Sequence, residues 1–198
     1  MQATTFQASV GLTAIVALAA CTATAEPATA EAVALKSTVR EVHQFDSVPV
    51  MVATADAVVI ATVIDSRQGR SVGDPEGPVT FTELTLQIDE TLYGELSDSV
   101  LVEVDSPGAW AGVGEQSVLI LHQKEDATDQ TYYRPLNSQS VYVVDADGEL
   151  RASSADEFAS ETAALGLSQL RTAIADAVTL VDAGQVQAQQ TLPKSAGD

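Results

Sequence analysis

The chain has 198 residues, with 28 Asp and Glu against 9 Lys and Arg, so its formal net charge is −19 and its pI about 4.1. A field of that sign repels phosphate backbones and anionic headgroups, which argues strongly against a nucleic-acid partner. Hydrophobic residues make up 45% of the chain and charged residues 19%, a balance that suits a folded domain, and the roughly 140 residues left without leader and tails suffice for about one core.

Residues 1–20 read as a signal peptide. Residues 10–20 are apolar but too short to cross about 30 Å of hydrocarbon as a helix, and they end in small residues that suit cleavage. Residues 1–9 hold neither Lys nor Arg, so the positive end of the leader rests on the amino terminus alone. The closing tetrad Leu18-Ala19-Ala20-Cys21 resembles the bacterial lipobox. That resemblance implies cleavage before Cys21, a diacylglyceryl thioether on its sulfur, and attachment of the exported protein to the outer face of the cell membrane. Cys21 is the only cysteine, so no disulfide framework exists within one chain, and lipidation accounts for the lone thiol. Every charged side chain lies beyond Cys21, so the mature protein carries the whole imbalance. Its acidity reads first as a solubilising coat and second as a surface that recruits cations or basic partners.

Residues 21–40 form a tether. Residues 22–37 are rich in Ala, Thr and Glu, with Pro27, and lack a clean period, the composition of a linker. Fully extended, this stretch reaches roughly 50 Å at about 3.3 Å per residue. A weak helix over 28–35 is the alternative.

The folded domain is expected over residues 41–182. Ser47 can cap a single helical turn through Pro49 to residue 54. Ala57 to Ile64 is a β-branched run that suits a strand buried on both faces. Residues 67–78 carry Gly69, Gly73, Pro75, Gly77 and Pro78 and read as a loop. Leu84, Leu86 and Ile88 then alternate with Glu83, Thr85, Gln87 and Asp89, a strand with one face on a core and one in water, ended at Tyr93-Gly94. Val100, Val102 and Val104 alternate until Pro107-Gly108, and Val118 to Leu121 form a second fully apolar run. Tyr132-Tyr133 and Val141 to Val144 are further strands, and Asp147-Gly148 is a two-residue hairpin signal before Leu150. Ser154 with Glu157 suggests a capping box for a helix stopped by Gly166. A second helix is capped by Ser168, with Leu170, Ile174, Ala177, Val178 and Val181 along one side, and ends at Gly184; residues 183–198 read as a frayed tail.

Short strands followed by helices define a mainly β, α+β domain: a small, partly open antiparallel barrel with C-terminal helices. The blocks Ala55 to Val63, Phe81 to Gly94 and Val113 to Leu121 carry a Leu-Tyr-Gly turn and a Val-Gly-Glu turn before a buried strand. In that order they resemble a widespread group of secreted bacterial domains with an OB-like barrel, related to the netrin and metalloproteinase-inhibitor modules. The resemblance spans roughly residues 46–180 and implies fold and export rather than an activity. In the inhibitor relatives a free amino-terminal cysteine chelates the target's zinc; with Cys21 acylated, that mechanism does not carry over.

Motifs for chemistry are sparse. His43 and His122 are far apart and lack metal-ligand spacing, so no metal site and no cofactor is expected. Asp145-Ala146-Asp147-Gly148-Glu149 begins like a calcium loop, but Leu150 stands where the loop needs Gly and Asp156 where it needs Glu, so it reads as a turn. No Gly-x-Ser-x-Gly elbow or phosphate-cradling glycine loop occurs. Carboxylate pairs for hydrolysis could be drawn from many acids, with few aromatics to stack on sugars. The candidate partner-binding residues are Trp110, the sole tryptophan, held between glycines on a loop, and Tyr132 and Tyr133, of which alternation should bury one and expose the other. A tryptophan folded back over the barrel mouth is the alternative reading. These features favour a membrane-anchored binding or interaction module with an envelope protein partner. The alternatives are an envelope hydrolase using acidic residues and a purely structural envelope component.

Overall fold

The computed structural model describes residues 44–72, 79–105, 110–125 and 131–189. Cys21, the leader and the tether lie outside the described residues. Helix α1 (Val48–Thr54) opens the described part; Ser47 sits at its N-cap position without a side-chain bond, and proline occupies the first turn. Seven strands follow: β1 (Ala57–Val72), β2 (Val79–Tyr93), β3 (Ser99–Val104), β4 (Gln116–Glu125), β5 (Thr131–Pro135), β6 (Val141–Val144) and β7 (Leu150–Ala152). Helices α2 (Glu157–Ala164) and α3 (Gly166–Asp182) end it.

The strand order β1-β2-β3-β5-β4 returns from β4 to β1, so five strands close on themselves as an OB-like barrel, while β6 and β7 extend the sheet from β4. The ring is antiparallel except where β3 meets β5. That seam is parallel and rests on one register pair among the described residues, Val102 opposite Tyr133, which leaves the barrel partly open there. Register shifts along β1 supply the local twist that lets the long β1–β2 ribbon curl.

Alternation sorts the apolar residues into two layers. Val59, Ala61, Val63, Leu84, Leu86, Val100, Val102, Val104, Leu119 and Leu121 fill the barrel. Val58, Ile60, Val118, Ile120 and Tyr142 face outward and are covered by Met51, Val52, Leu170, Ile174 and Ala177 from α1 and α3. The expected stripe on α3 thus covers a flank of the barrel, with Val178 and Val181 at its margin. Arg171 Nη2 to Glu90 Oε2, 2.6 Å, ties α3 to β2.

Gly94 adopts φ +77° where β2 ends, and an added Cβ there would lie 2.2 Å from the Asp56 carbonyl oxygen. The Leu-Tyr-Gly turn therefore needs glycine twice over, for its backbone sign and for this close approach. Buried Gln139 holds the entry of the domain. It accepts from Phe45 N at 2.8 Å and Asn137 Nδ2 at 2.9 Å, and donates to Asp156 Oδ1 at 2.7 Å and Phe45 O at 3.3 Å.

Several local expectations are corrected. Residues 67–72 are strand, not loop. Arg67 pairs with Glu83, Gln68 with Thr82 and Ser71 with Thr80 in register, and the Ser71 and Thr80 hydroxyls meet at 2.8 Å. A cross-strand partner overrides the turn-like composition of this polar arm; residues 73–78 lie outside the described residues. The N-cap of α2 is Asp156, which accepts from Ala159 N at 3.3 Å, while Ser154 Oγ accepts from Asp156 N at 3.2 Å instead of capping the helix. The hydrogen bond from Gln139 holds the Asp156 carboxyl below its usual range, against a smaller upward push from burial. Helix α3 begins at Gly166 rather than after Ser168, because Leu167 N donates to Gly148 O at 3.0 Å as the chain turns. The β6–β7 connection is also longer than two residues. Gly148 (φ +80°) donates to Asp145 O, and Asp145 N donates to Glu149 O, a three-residue loop with a left-handed glycine. Asp145 Oδ1 accepts from Asp147 N and Glu149 N, so this acidic run is a turn closed on itself. Beyond Gly184 the chain still makes contacts: Gln189 N donates to Thr54 Oγ1 at 2.9 Å and Gln189 Nε2 to Gln44 O at 3.1 Å. Residues 190–198 lie outside the described residues.

Candidate functional site

The outer wall of β1, β2, β3 and β5 carries a cluster that the acidic composition does not suggest. On β3, Val100, Val102 and Val104 point inward, so Glu103 points out. Its side chain is nevertheless 0% exposed, because Arg70 and Arg134 close over it. Arg70 Nε and Nη2 donate to its two oxygens at 2.7 and 3.1 Å. Arg134 Nε and Nη2 both donate to Oε2, at 3.0 and 2.6 Å. The register shift between Gln68 and Ser71 accompanies the turn of Arg70 toward this face.

Phe81 joins the cluster from β2. The Arg134 guanidinium carbon lies 4.3 Å from its ring centroid and that of Arg70 5.6 Å, both within cation–π range. Glu83, opposite Glu103 in register, pairs with Arg67 at 2.7 Å. Burial alone raises the Glu103 carboxyl; the hydrogen bonds and charges of Arg70 and Arg134 outweigh it and hold the group below the ordinary carboxylate range. Arg67, Arg70, Arg134 and Lys124 thus all belong to this wall and its β4 margin, leaving Arg151 and Arg171 elsewhere among the described residues.

Tyr132, at 8% exposure, shares the outer face of β5 with Arg134 and stands opposite Lys124. Tyr133 turns inward and packs on the barrel core. Alternation separates the two rings as expected, but neither is exposed. Burial and the charge of Asp56 push the Tyr133 phenol up. Trp110 lies away from this wall, half-buried over the barrel interior. Cys21 is outside the described residues.

A second polar group sits where β1 begins. Asp56 Oδ2 accepts from Gln123 N at 2.6 Å and faces His122 Nδ1 at 3.0 Å, both side chains about half exposed. Sequence reasoning missed both this pair and the Glu103 cluster.

Chemically, the wall is built to hold two guanidiniums in place. The Nε and Nη2 donors of each arginine are spent on Glu103, so what the wall presents is two fixed cations beside the Phe81 ring. A hydrolytic pair would instead require two acids facing each other across a cleft. Glu83 and Glu103, neighbours in register, are each paired with arginine on an outer wall. Among the described residues no group of His, Cys, Asp and Glu is arranged to hold a metal ion. No protein-family model and no curated protein matches this chain.

Proposed function

We propose that this chain is an exported lipoprotein, tethered through Cys21, whose OB-like barrel acts as an interaction module at the cell envelope. The contact surface is the outer wall around Arg70, Phe81, Glu103 and Arg134. One observation carries the reading: in a chain of net charge −19, arginines gather on one wall and are locked there by a buried carboxylate. An exposed pair would contribute little to stability and leave its side chains free, whereas this arrangement fixes two guanidinium charges and the Phe81 ring in place at the surface. The lipobox-like tetrad and the linker behind it support attachment with reach away from the membrane.

Position-resolved photo-crosslinking in intact cells tests the reading. A crosslinkable residue at Thr85 on the wall should give one discrete protein adduct, and one at Glu161 on α2 should not. Adducts alike from both positions, or none from either, would overturn the proposal. Cys21→Ala should abolish lipid labelling and release the protein from the membrane fraction; unchanged retention would remove the anchor from the reading.

A further inference from the structure

The outer faces of the five barrel strands meet in one charged row. Val118 and Ile120 on β4 face outward, so His122, two residues further on, shares their face. His122 stands opposite Arg134 on β5 in the antiparallel register. Across the parallel seam Arg134 Nη2 meets Glu103 Oε2 at 2.6 Å. Glu103 in turn stands opposite Glu83, and Glu83 opposite Arg67. Opposed side chains on one face of an antiparallel pair are about 5 Å apart at their Cβ atoms, so the row is continuous around the wall. Asp56 extends it beyond β4, with Oδ2 3.0 Å from His122 Nδ1.

His122 is the member of this row suited to change charge. The arginines stay cationic, and Arg70 and Arg134 hold Glu103 ionised. The Tyr133 phenol, raised by burial and by the charge of Asp56, stays neutral at neutral pH. Histidine is the side chain that gains or loses its charge between about pH 5 and 8. An ionised carboxylate only accepts, so Nδ1 carries its proton toward Asp56 and a second proton goes to Nε2. The side chain is 46% exposed, so solvent reaches it. Asp56 from the start of β1 and Arg134 from β5 flank it, and Lys124 lies two residues on along the same face of β4. Helix α1, which covers the neighbouring Ile120, carries no ionisable side chain.

We infer that His122 makes recognition at this wall pH-dependent: the partner meets the row with an anionic, carboxylate-bearing segment, and acid tightens the contact by adding a cation beside Arg134. The inference rests on the proposed interaction surface. Charge complementarity supplies the occupant, since Arg70 and Arg134 hold their charges at the surface of a chain of net charge −19. A basic partner would be drawn to the acidic coat and repelled by these cations.

The adduct formed from a crosslinkable residue at Thr85 reads the contact. Its yield in intact cells should be about two- to fivefold higher near pH 5.5 than near pH 8, the worth of one exposed charge at a contact. His122→Gln keeps a donor toward Asp56 but stays neutral, and it should remove that rise. Asp56→Asn keeps an acceptor for Gln123 N and should raise the yield near pH 8; circular dichroism checks that both variants fold. A discrete adduct of equal yield at the two pH values overturns the inference and leaves the interaction surface standing. A yield that falls in acid indicates a basic partner and overturns it too. A rise that persists in His122→Gln belongs to titration of the partner and removes His122 from the assignment. An unchanged yield in Asp56→Asn refutes the electrostatic account, and no adduct at either pH overturns surface and inference together.

Discussion

Glu103→Gln preserves shape and removes one charge, so it isolates what the carboxylate does for the two arginines. In the native protein its oxygens receive hydrogen bonds at 2.7, 3.1, 3.0 and 2.6 Å, and no part of the side chain meets solvent. Glutamine keeps one acceptor oxygen and turns an amide donor toward guanidinium donors. Removing one partner of a buried ion pair costs about 3–5 kcal/mol. The arginines are 35% and 27% exposed and recover part of their hydration, so the lower end applies, about 3 kcal/mol. For a domain of this size that corresponds to a fall of about 6–12 °C in Tm.

The pH dependence gives a second handle on the same substitution. The Glu103 carboxyl is held below its ordinary value of 4.5 in the folded state. Its contribution is therefore complete above the unfolded value and is lost as pH falls through the lower folded value. Thermal and urea melts should show a wild-type-to-variant gap that is constant above about pH 6 and shrinks below about pH 4. A Tm within about 2 °C of wild type at neutral pH, below one kcal/mol on this scale, would refute the reasoning. So would a gap that survives full acidification.

Three other changes follow from the geometry. Gly94→Ala, with its Cβ 2.2 Å from Asp56 O and φ at +77°, should lose roughly 2–4 kcal/mol in urea titrations; Gly148→Ala, at φ +80° with nothing within 4 Å, should lose only about 1 kcal/mol. Equal losses would mean that backbone sign, not the close approach, sets both. Gln139→Leu removes the hydrogen bonds that Gln139 makes to the Phe45 amide and carbonyl and should cost about 2–4 kcal/mol while speeding hydrogen exchange at Phe45 N–H; an unchanged exchange rate would count against the bond. Burial pushes the Tyr142 phenol up to about 12, with the charge of Asp156 adding to it and Thr162 opposing. Because the unfolded tyrosine ionises near 10, this stability is complete below pH 10 and declines as pH rises from 10 to about 12, so melts across that range should fall more steeply in wild type than in Tyr142→Phe.

The barrel was legible where one strand face is buried and the other wet. Leu84, Leu86 and Leu101's neighbours Val100 and Val102 announce their side of the sheet through a period of two. The helix stripe from Leu170 to Val181 is legible for the same reason at a different period. The arm over residues 67–72 was not, because its order comes from Thr80, Thr82 and Glu83 across the ribbon and not from its own composition. Glu103 is the clearest loss. An acid between two valines reads as a solvent-facing position, and the arginines that bury it lie 33 and 31 residues away. Only a strand extended through Arg70, with β5 placed beside β3, would bring those charges together. The parallel β3–β5 seam has no local signature at all.

The arginine wall and the acidic coat act at different ranges, and that difference separates two kinds of partner. At low salt the −19 field extends well beyond contact distance and repels an acidic partner before Arg70 and Arg134 can reach it. Raising ionic strength from about 0.01 M to about 0.1 M shortens the screening length from about 30 Å to about 10 Å. Contacts made inside a partly buried cluster are screened much less than this long-range repulsion. A partner that presents a carboxylate to the wall should therefore associate faster as salt rises over this range. A basic partner drawn by the coat should associate more slowly. Stopped-flow association of the crosslinked partner, once isolated, decides between them. Faster binding with salt, abolished by Phe81→Ala, places recognition on the wall; slower binding that ignores Phe81 places it on the coat.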